Sequence, residues 1–160
     1  MAPIVAAIAL AIVPLSPASA QAADSHVVTV SILELNQIAV VGGDATLFVV
    51  PGGPTPTTNE SCDLLWFVNA QGNKKITVRS SLVAPRYDLT VEARNLRGLN
   101  GQDGGTSAGV VPLRDGVDRD LITRIREKVG LCDLRYSASA PLAAPLGADV
   151  HVVTYTLTKR

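Results

Sequence analysis

The chain has 160 residues, with 14 Lys plus Arg balanced by 14 Asp plus Glu. That charge parity leaves no basic footprint for nucleic acid and no acidic tail. It is 47% hydrophobic but only 4% aromatic, which suits a core of Ala, Val and Leu better than an aromatic ligand cleft, and no cofactor is expected.

Ile4–Val13 is an unbroken apolar run. It matches the apolar part of a secretory signal and is too short for a bilayer span, which needs roughly 20 residues. Pro14 and Pro17 end any helix, and Ala18-Ser19-Ala20 offers the small residues a signal peptidase reads. Residues 1–20 therefore read as a signal peptide cleaved between Ala20 and Gln21, with Ala20-Gln21-Ala22 as a second site. No Lys or Arg precedes the run, so its positive end is the N-terminal amine, or the true start lies upstream of Met1. No later segment reaches spanning length, and no Cys follows the signal to carry a lipid. The expected product, residues 21–160, is one domain in a periplasm or outside the cell, without a membrane span.

Val27–Leu35 reads as a first strand, rich in Val, Ile and Thr. Gly42-Gly43-Asp44 signals a turn, Ala45–Val50 a second strand, and Pro51–Ser61 a surface loop. Leu64–Asn69, carrying Trp66 in the core, and Lys74–Ser80 read as a hairpin turned by Gln71-Gly72-Asn73. In the latter run Ile76 and Val78 oppose Lys75, Thr77 and Arg79. Tyr87–Arg94 alternates with the period of a half-buried strand. Asn95–Gly109 reads as a flexible loop and Val110–Leu113 as a short strand. Over 120–130, Leu121, Ile122, Ile125 and Val129 share a helical face between a capping Asp120 and Gly130, so a short helix is slightly favoured over a strand. Leu134–Ala140 and Val150–Thr158 close the chain. Seven to eight strands between Gly, Pro and Asn turns predict an all-β, Ig-like or pilin-like sandwich.

In an exported chain an isolated cysteine pair reads as one disulfide, Cys62–Cys132. It would close a loop of about 70 residues, worth roughly 4 kcal/mol. Gly105-Thr106-Ser107-Ala108-Gly109 has the G-x-S-x-G spacing of a nucleophile elbow, with His151 as the conceivable base. A Gly-rich loop lacks the strand-to-helix scaffold that fixes such a serine, so Ser107 is expected to be inert and Ser107→Ala harmless to folding. Asp115, Asp118 and Asp120 cluster around Gly116 as oxygen donors for calcium, but Arg114, Arg119 and Arg124 stand by to neutralise them, and no metal is assigned. Asn59-Glu60-Ser61 is formally a glycosylation sequon. His26-Val-Val-Thr29 recurs at His151-Val-Val-Thr154, as two strands of like environment would.

The exported start, strand spacing, single Cys pair and closing Thr154-Tyr155-Thr156-Leu157-Thr158 run resemble small secreted bacterial β-sandwich proteins of the fimbrial-subunit and spore-coat-protein-U kind. Gly147, fourteenth from the end, matches a pilin glycine, whereas Lys159 stands where pilins carry a penultimate aromatic. The resemblance implies assembly with copies of itself or other surface subunits through a strand edge, and no catalysis. The expected function is a non-enzymatic structural or adhesive surface component. The alternatives are a secreted carbohydrate or small-ligand binding module and, third, a minor hydrolase.

Overall fold

The computed structural model describes residues 27–69, 72–99, 103–126 and 128–160. The signal peptide, its cleavage site at Ala20 and Gln21, His26, Gln71 and Gly101 lie outside them. Two compact units are distinguished, Met1–Ile32 and Leu33–Arg160; every described strand belongs to the second.

The fold is all-β, as predicted. Nine strands occur among the described residues: β1 (Asn36–Val41), β2 (Thr57–Val68), β3 (Lys74–Ser80), β4 (Asp88–Gly98), β5 (Thr106–Ser107), β6 (Val110–Pro112), β7 (Arg119–Ile125), β8 (Lys128–Ser139) and β9 (Val153–Lys159). They form a five-stranded sheet, β1-β2-β8-β4-β6, and a four-stranded sheet, β5-β7-β3-β9. All pairings are antiparallel. Cys62, Leu64 and Trp66 of β2, Ile76 and Val78 of β3, Val91 of β4, Leu121 and Ile122 of β7, and Cys132 and Leu134 of β8 make the core between the sheets. No helix among these residues is long and apolar enough to cross a membrane.

The helix expected near 120–130 is absent: Asp120–Ile125 belong to β7, and Lys128–Gly130 open β8. Leu121 and Ile122 are adjacent and both fully buried, and Ile125 is buried four residues later. The register slips between Ile76↔Ile122 and Thr77↔Asp120, and Arg124 has a φ of 59°. A β-bulge turns successive side chains to the same face, so it imitates the i, i+1, i+4 spacing of a helical stripe.

The hairpin expected from Leu64–Asn69 and Lys74–Ser80 is also corrected. Both runs are strands, but β2 pairs with β1 and β8 while β3 pairs with β7 and β9. The intervening turn therefore carries the chain from one sheet to the other. Period-two alternation identifies a half-buried strand but not its partner.

Residues 27–35 form no strand, because the partner runs out. The β1–β2 ladder ends at Asn36↔Val68, and beyond it Asn69 ties off the edge: Leu35 N donates to Asn69 Oδ1 and Asn69 N to Leu35 O. Past β1, residues 45–50 are extended, with Ala45, Leu47 and Val49 half-buried, but they make no ladder. Side chains of β2 hold them instead: Asn59 Nδ2 donates to Thr46 O and Thr57 Oγ1 to Phe48 O. Gly42 permits this course. A Cβ there would lie 2.0 Å from Ser61 O, and its φ is 112°. The expected loop 51–61 is thus a loop only to Pro56, and β2 begins at Thr57.

Candidate functional site

Ser107 and His151 do not meet. Ser107 lies in β5, at one edge of the four-stranded sheet, and His151 precedes β9, at the other. Three interstrand spacings of ~4.8 Å separate the two edges. Ser107 Oγ donates to Ala93 O of β4 at 2.8 Å and accepts from Gly109 N at 3.1 Å. It is a corner pin between the sheets, so the expectation that Ser107→Ala leaves folding untouched is revised. The substitution should cost about 1–2 kcal/mol, since a half-buried carbonyl loses its donor. Urea unfolding of the variant measures this; an unchanged midpoint would show that the pin is dispensable.

His151 instead shares a 2.8 Å hydrogen bond through Nδ1 with Ser80 Oγ. Sequence reasoning missed this pair, whose only signal is the in-phase burial of Ser80 with Ile76 and Val78. Burial holds the imidazole below its ordinary pKa, with Asp149 pulling the other way. Ser80 is only 2% exposed, and its oxygen also accepts from Leu82 N. The Asp149 carboxylate is occupied by Arg86, through the backbone N at 2.6 Å and Nε at 3.5 Å. The serine is thus sealed from an incoming carbonyl, and the contact fastens the end of β3 to the approach of β9.

The Asp115, Asp118 and Asp120 cluster is dispersed. Asp115 and Gly116 have φ of 66° and 67°, the left-handed pair of a tight Asp-Gly turn. Arg119 grips Asp115 through two bonds of 2.8 Å and holds its carboxyl below the usual range. Asp120 points to Lys75 at 2.7 Å. Among the described residues no group of three or more metal-ligating side chains converges. Asn59 of the sequon is half-buried at a bulge in β2, its Oδ1 accepting from both Ser61 N and Ser61 Oγ.

Cys62 and Cys132 are both buried and unbonded, which corrects the expected disulfide. In the β2–β8 register Cys62 faces Leu134 and Cys132 faces Leu64, so the cysteines are diagonal neighbours. Such neighbours have Cα atoms ~7–8 Å apart, beyond the usual ~4.4–6.8 Å span of a disulfide. Cys62 Sγ donates to Gly43 O at 3.3 Å. Burial, with Asp133 and Asp63 nearby, pushes the Cys132 thiol up to about 12, so the reactive thiolate is scarce. Both thiols should resist alkylation in the folded protein and react fully in denaturant. A cross-linked Cys62–Cys132 peptide in a non-reducing map would contradict the free-thiol arrangement.

Two further polar links bear on the packing of the sheets. Tyr136 of β8 and Tyr155 of β9 join hydroxyls at 2.6 Å, and burial raises both phenols above their ordinary range. At the opposite end of the sandwich Lys74, 2% exposed, points Nζ at Glu34 Oε1, 2.5 Å away. Asn36 Nδ2 donates to the same oxygen at 2.8 Å, and Lys159 lies 3.8 Å from the other. Sequence reasoning passed over Lys74, although it is in phase with Ile76 and Val78.

Among the described residues, the sheets end in strands paired on one side. β9 has a ladder partner on one side, β3, and β1 on one side, β2. No protein-family model matches the chain, and neither a curated protein nor a solved structure matches it.

Proposed function

We propose that the chain is an exported, non-enzymatic structural or adhesive surface component. Residues 1–20 direct it to the periplasm or cell exterior, and a strand edge joins it to copies of itself or to other surface subunits. The observation that carries this reading is β9: seven residues, Val153–Lys159, paired on one side only among the described residues. A one-sided strand presents a row of backbone donors and acceptors that template a further strand. The sealed Ser80 and the separation of Ser107 from His151 support a role without catalysis.

Thr154 and Thr156 are exposed on β9, so lysine at both positions places like charges along the edge without entering the core. Sedimentation of the purified protein should show concentration-dependent association that Thr154→Lys/Thr156→Lys abolishes at an unchanged melting temperature. A monomer at every concentration, or association indifferent to the lysines, would defeat the edge assignment. Export has a separate readout: N-terminal sequencing should begin at Gln21, or at Ala23 for the second site.

A further inference from the structure

Lys74 is an unusual residue for the place it occupies. It opens β3 in phase with Ile76 and Val78 and is 2% exposed. Across the ladders it stands opposite Ile125 of β7 and Lys159 of β9. An ammonium so far from water is costly even when a carboxylate meets it. Its partner Glu34 lies on the chain leading into β1, which belongs to the other sheet.

Glu34 Oε1 serves two nitrogens at once. Lys74 Nζ approaches it at 2.5 Å, and Asn36 Nδ2 donates to it at 2.8 Å. The amine and the side-chain amide are therefore no more than two hydrogen-bond lengths apart, with a carboxylate oxygen between them. Asn36 is in phase with Ile38 along β1, and Ile38 packs against the core. An amine, an amide and a carboxyl gathered at one oxygen are the reactants and the proton carrier of an amide exchange.

We propose that Lys74 Nζ and Asn36 Cγ join in an intramolecular amide bond, with Glu34 carrying the protons and ammonia leaving. Nζ gives a proton to Glu34 Oε1 and attacks Cγ as the neutral amine. The Cγ–Nδ2 bond breaks as Glu34 hands that proton to Nδ2. A second Nζ proton follows the same route, so ammonium departs and the carboxylate is restored. One C–N bond replaces another, and nothing is oxidised or reduced. The low pKa of Glu34 opposes the first transfer, so the step is slow, and one turnover per chain is all it needs. Fixed geometry favours it, since well-oriented intramolecular reactants reach effective concentrations of about 10⁵–10⁸ M. The product also removes the buried charge, because Nζ becomes a neutral amide nitrogen. The bond joins β1 of the five-stranded sheet to β3 of the four-stranded sheet, and the ion pair is the state that precedes it. It depends on neither export nor the β9 edge.

Intact mass alone does not decide, because cyclisation of Gln21 at a cleaved N-terminus also releases ammonia. Proteolysis after glutamate does decide. It cuts at Glu34, Glu60 and Glu92 and separates residues 35–60 from 61–92 in an unlinked chain. From the full chain, after prolonged incubation, these two peptides should emerge as one species, lighter than their sum by one ammonia. Fragmentation should place the branch at Asn36 and Lys74. The link should be lost in Glu34→Gln and in Asn36→Ala, and kept in Lys159→Ala. Asn36→Ala leaves the ion pair in place, so it reports on a folded chain, and its melting temperature should fall below that of the parent. Separate 35–60 and 61–92 peptides from the parent, a branch at Lys159, or a link that survives Glu34→Gln would overturn the proposal. So would a branched species lighter by one water, which marks Glu34 itself as the acyl partner.

Discussion

Gly130→Ala should destabilise the protein by about 3 kcal/mol, as much as deleting a large core side chain. Trp66 of β2 stands directly opposite Gly130 of β8. A Cβ on Gly130 would lie 2.3 Å from Trp66 Cζ2 and 2.5 Å from Cε2. The indole lies flat over a backbone with no side chain, covering a residue that would otherwise weaken the strand. Trp66 is 2% exposed and packed on all sides, so the ring has nowhere to retreat and the overpacking falls at the upper end of its usual range. Trp66→Ala should cost about 3–5 kcal/mol from the other side of the same contact. The double variant Gly130→Ala/Trp66→Ala should lose clearly less than the two single losses together, because the smaller side chain leaves room for the methyl. Chemical denaturation of the four proteins measures this. A Gly130→Ala protein as stable as the parent, or strictly additive losses, would show that the indole does not depend on the glycine.

Protonation of the Glu34 carboxylate should cost the folded protein stability in acid. Lys74 is buried at the inner face of β3, and the Glu34 carboxylate receives its ammonium. The hydrogen bond from Lys74, then that from Asn36, with Lys159 adding its charge, lower the Glu34 carboxyl from 4.5 to about 2. A carboxyl whose folded-state pKa is depressed binds its proton more readily in the unfolded chain. Its contribution is therefore complete above about pH 4.5 and is lost as pH falls towards about 2. Glu34→Gln should lower the melting temperature at pH 7 more than removing any exposed ion pair, such as Arg97–Asp133, because it strands a buried ammonium. It should also flatten the decline between pH 4.5 and 2. Lys74→Met, which removes the charge along with its need for a partner, should be the milder of the two substitutions. A parent and a Glu34→Gln protein with parallel acid profiles would break this account.

The strands themselves were legible wherever one face is buried. The alternation of Val91 and Ala93 against Glu92 and Arg94 holds in β4, and that of Ile76 and Val78 against Lys75 and Arg79 holds in β3, where Thr77, expected outside, is buried as well. Three kinds of feature were not legible. Bulges falsify the count of faces, as at Leu121 and Ile122. Pairing is nonlocal, so nothing near Asn69 announces that β3 belongs to the other sheet. Side-chain substitutes for a ladder, such as Asn59 and Thr57 holding residues 45–50, have no periodic signature. The candidate chemistry failed for the same reason. Whether Ser107 meets His151, or Cys62 meets Cys132, is a question of register, and a shift of two residues is enough to turn a disulfide into a diagonal pair of thiols. Lys74 was visible in the sequence, as a charge in phase with a core stripe.

The position of β8 bears on how the chain reaches this state. It lies between β2 and β4 in the larger sheet, yet it is the penultimate strand in chain order. Those two partners have no ladder with each other, so the larger sheet cannot be completed until residue 139 is available to it. Contacts between segments so far apart along the chain put folding in the slow class, milliseconds to seconds. A polypeptide emerging N-terminus first would lack the larger sheet, and would remain threadable, until β8 has arrived.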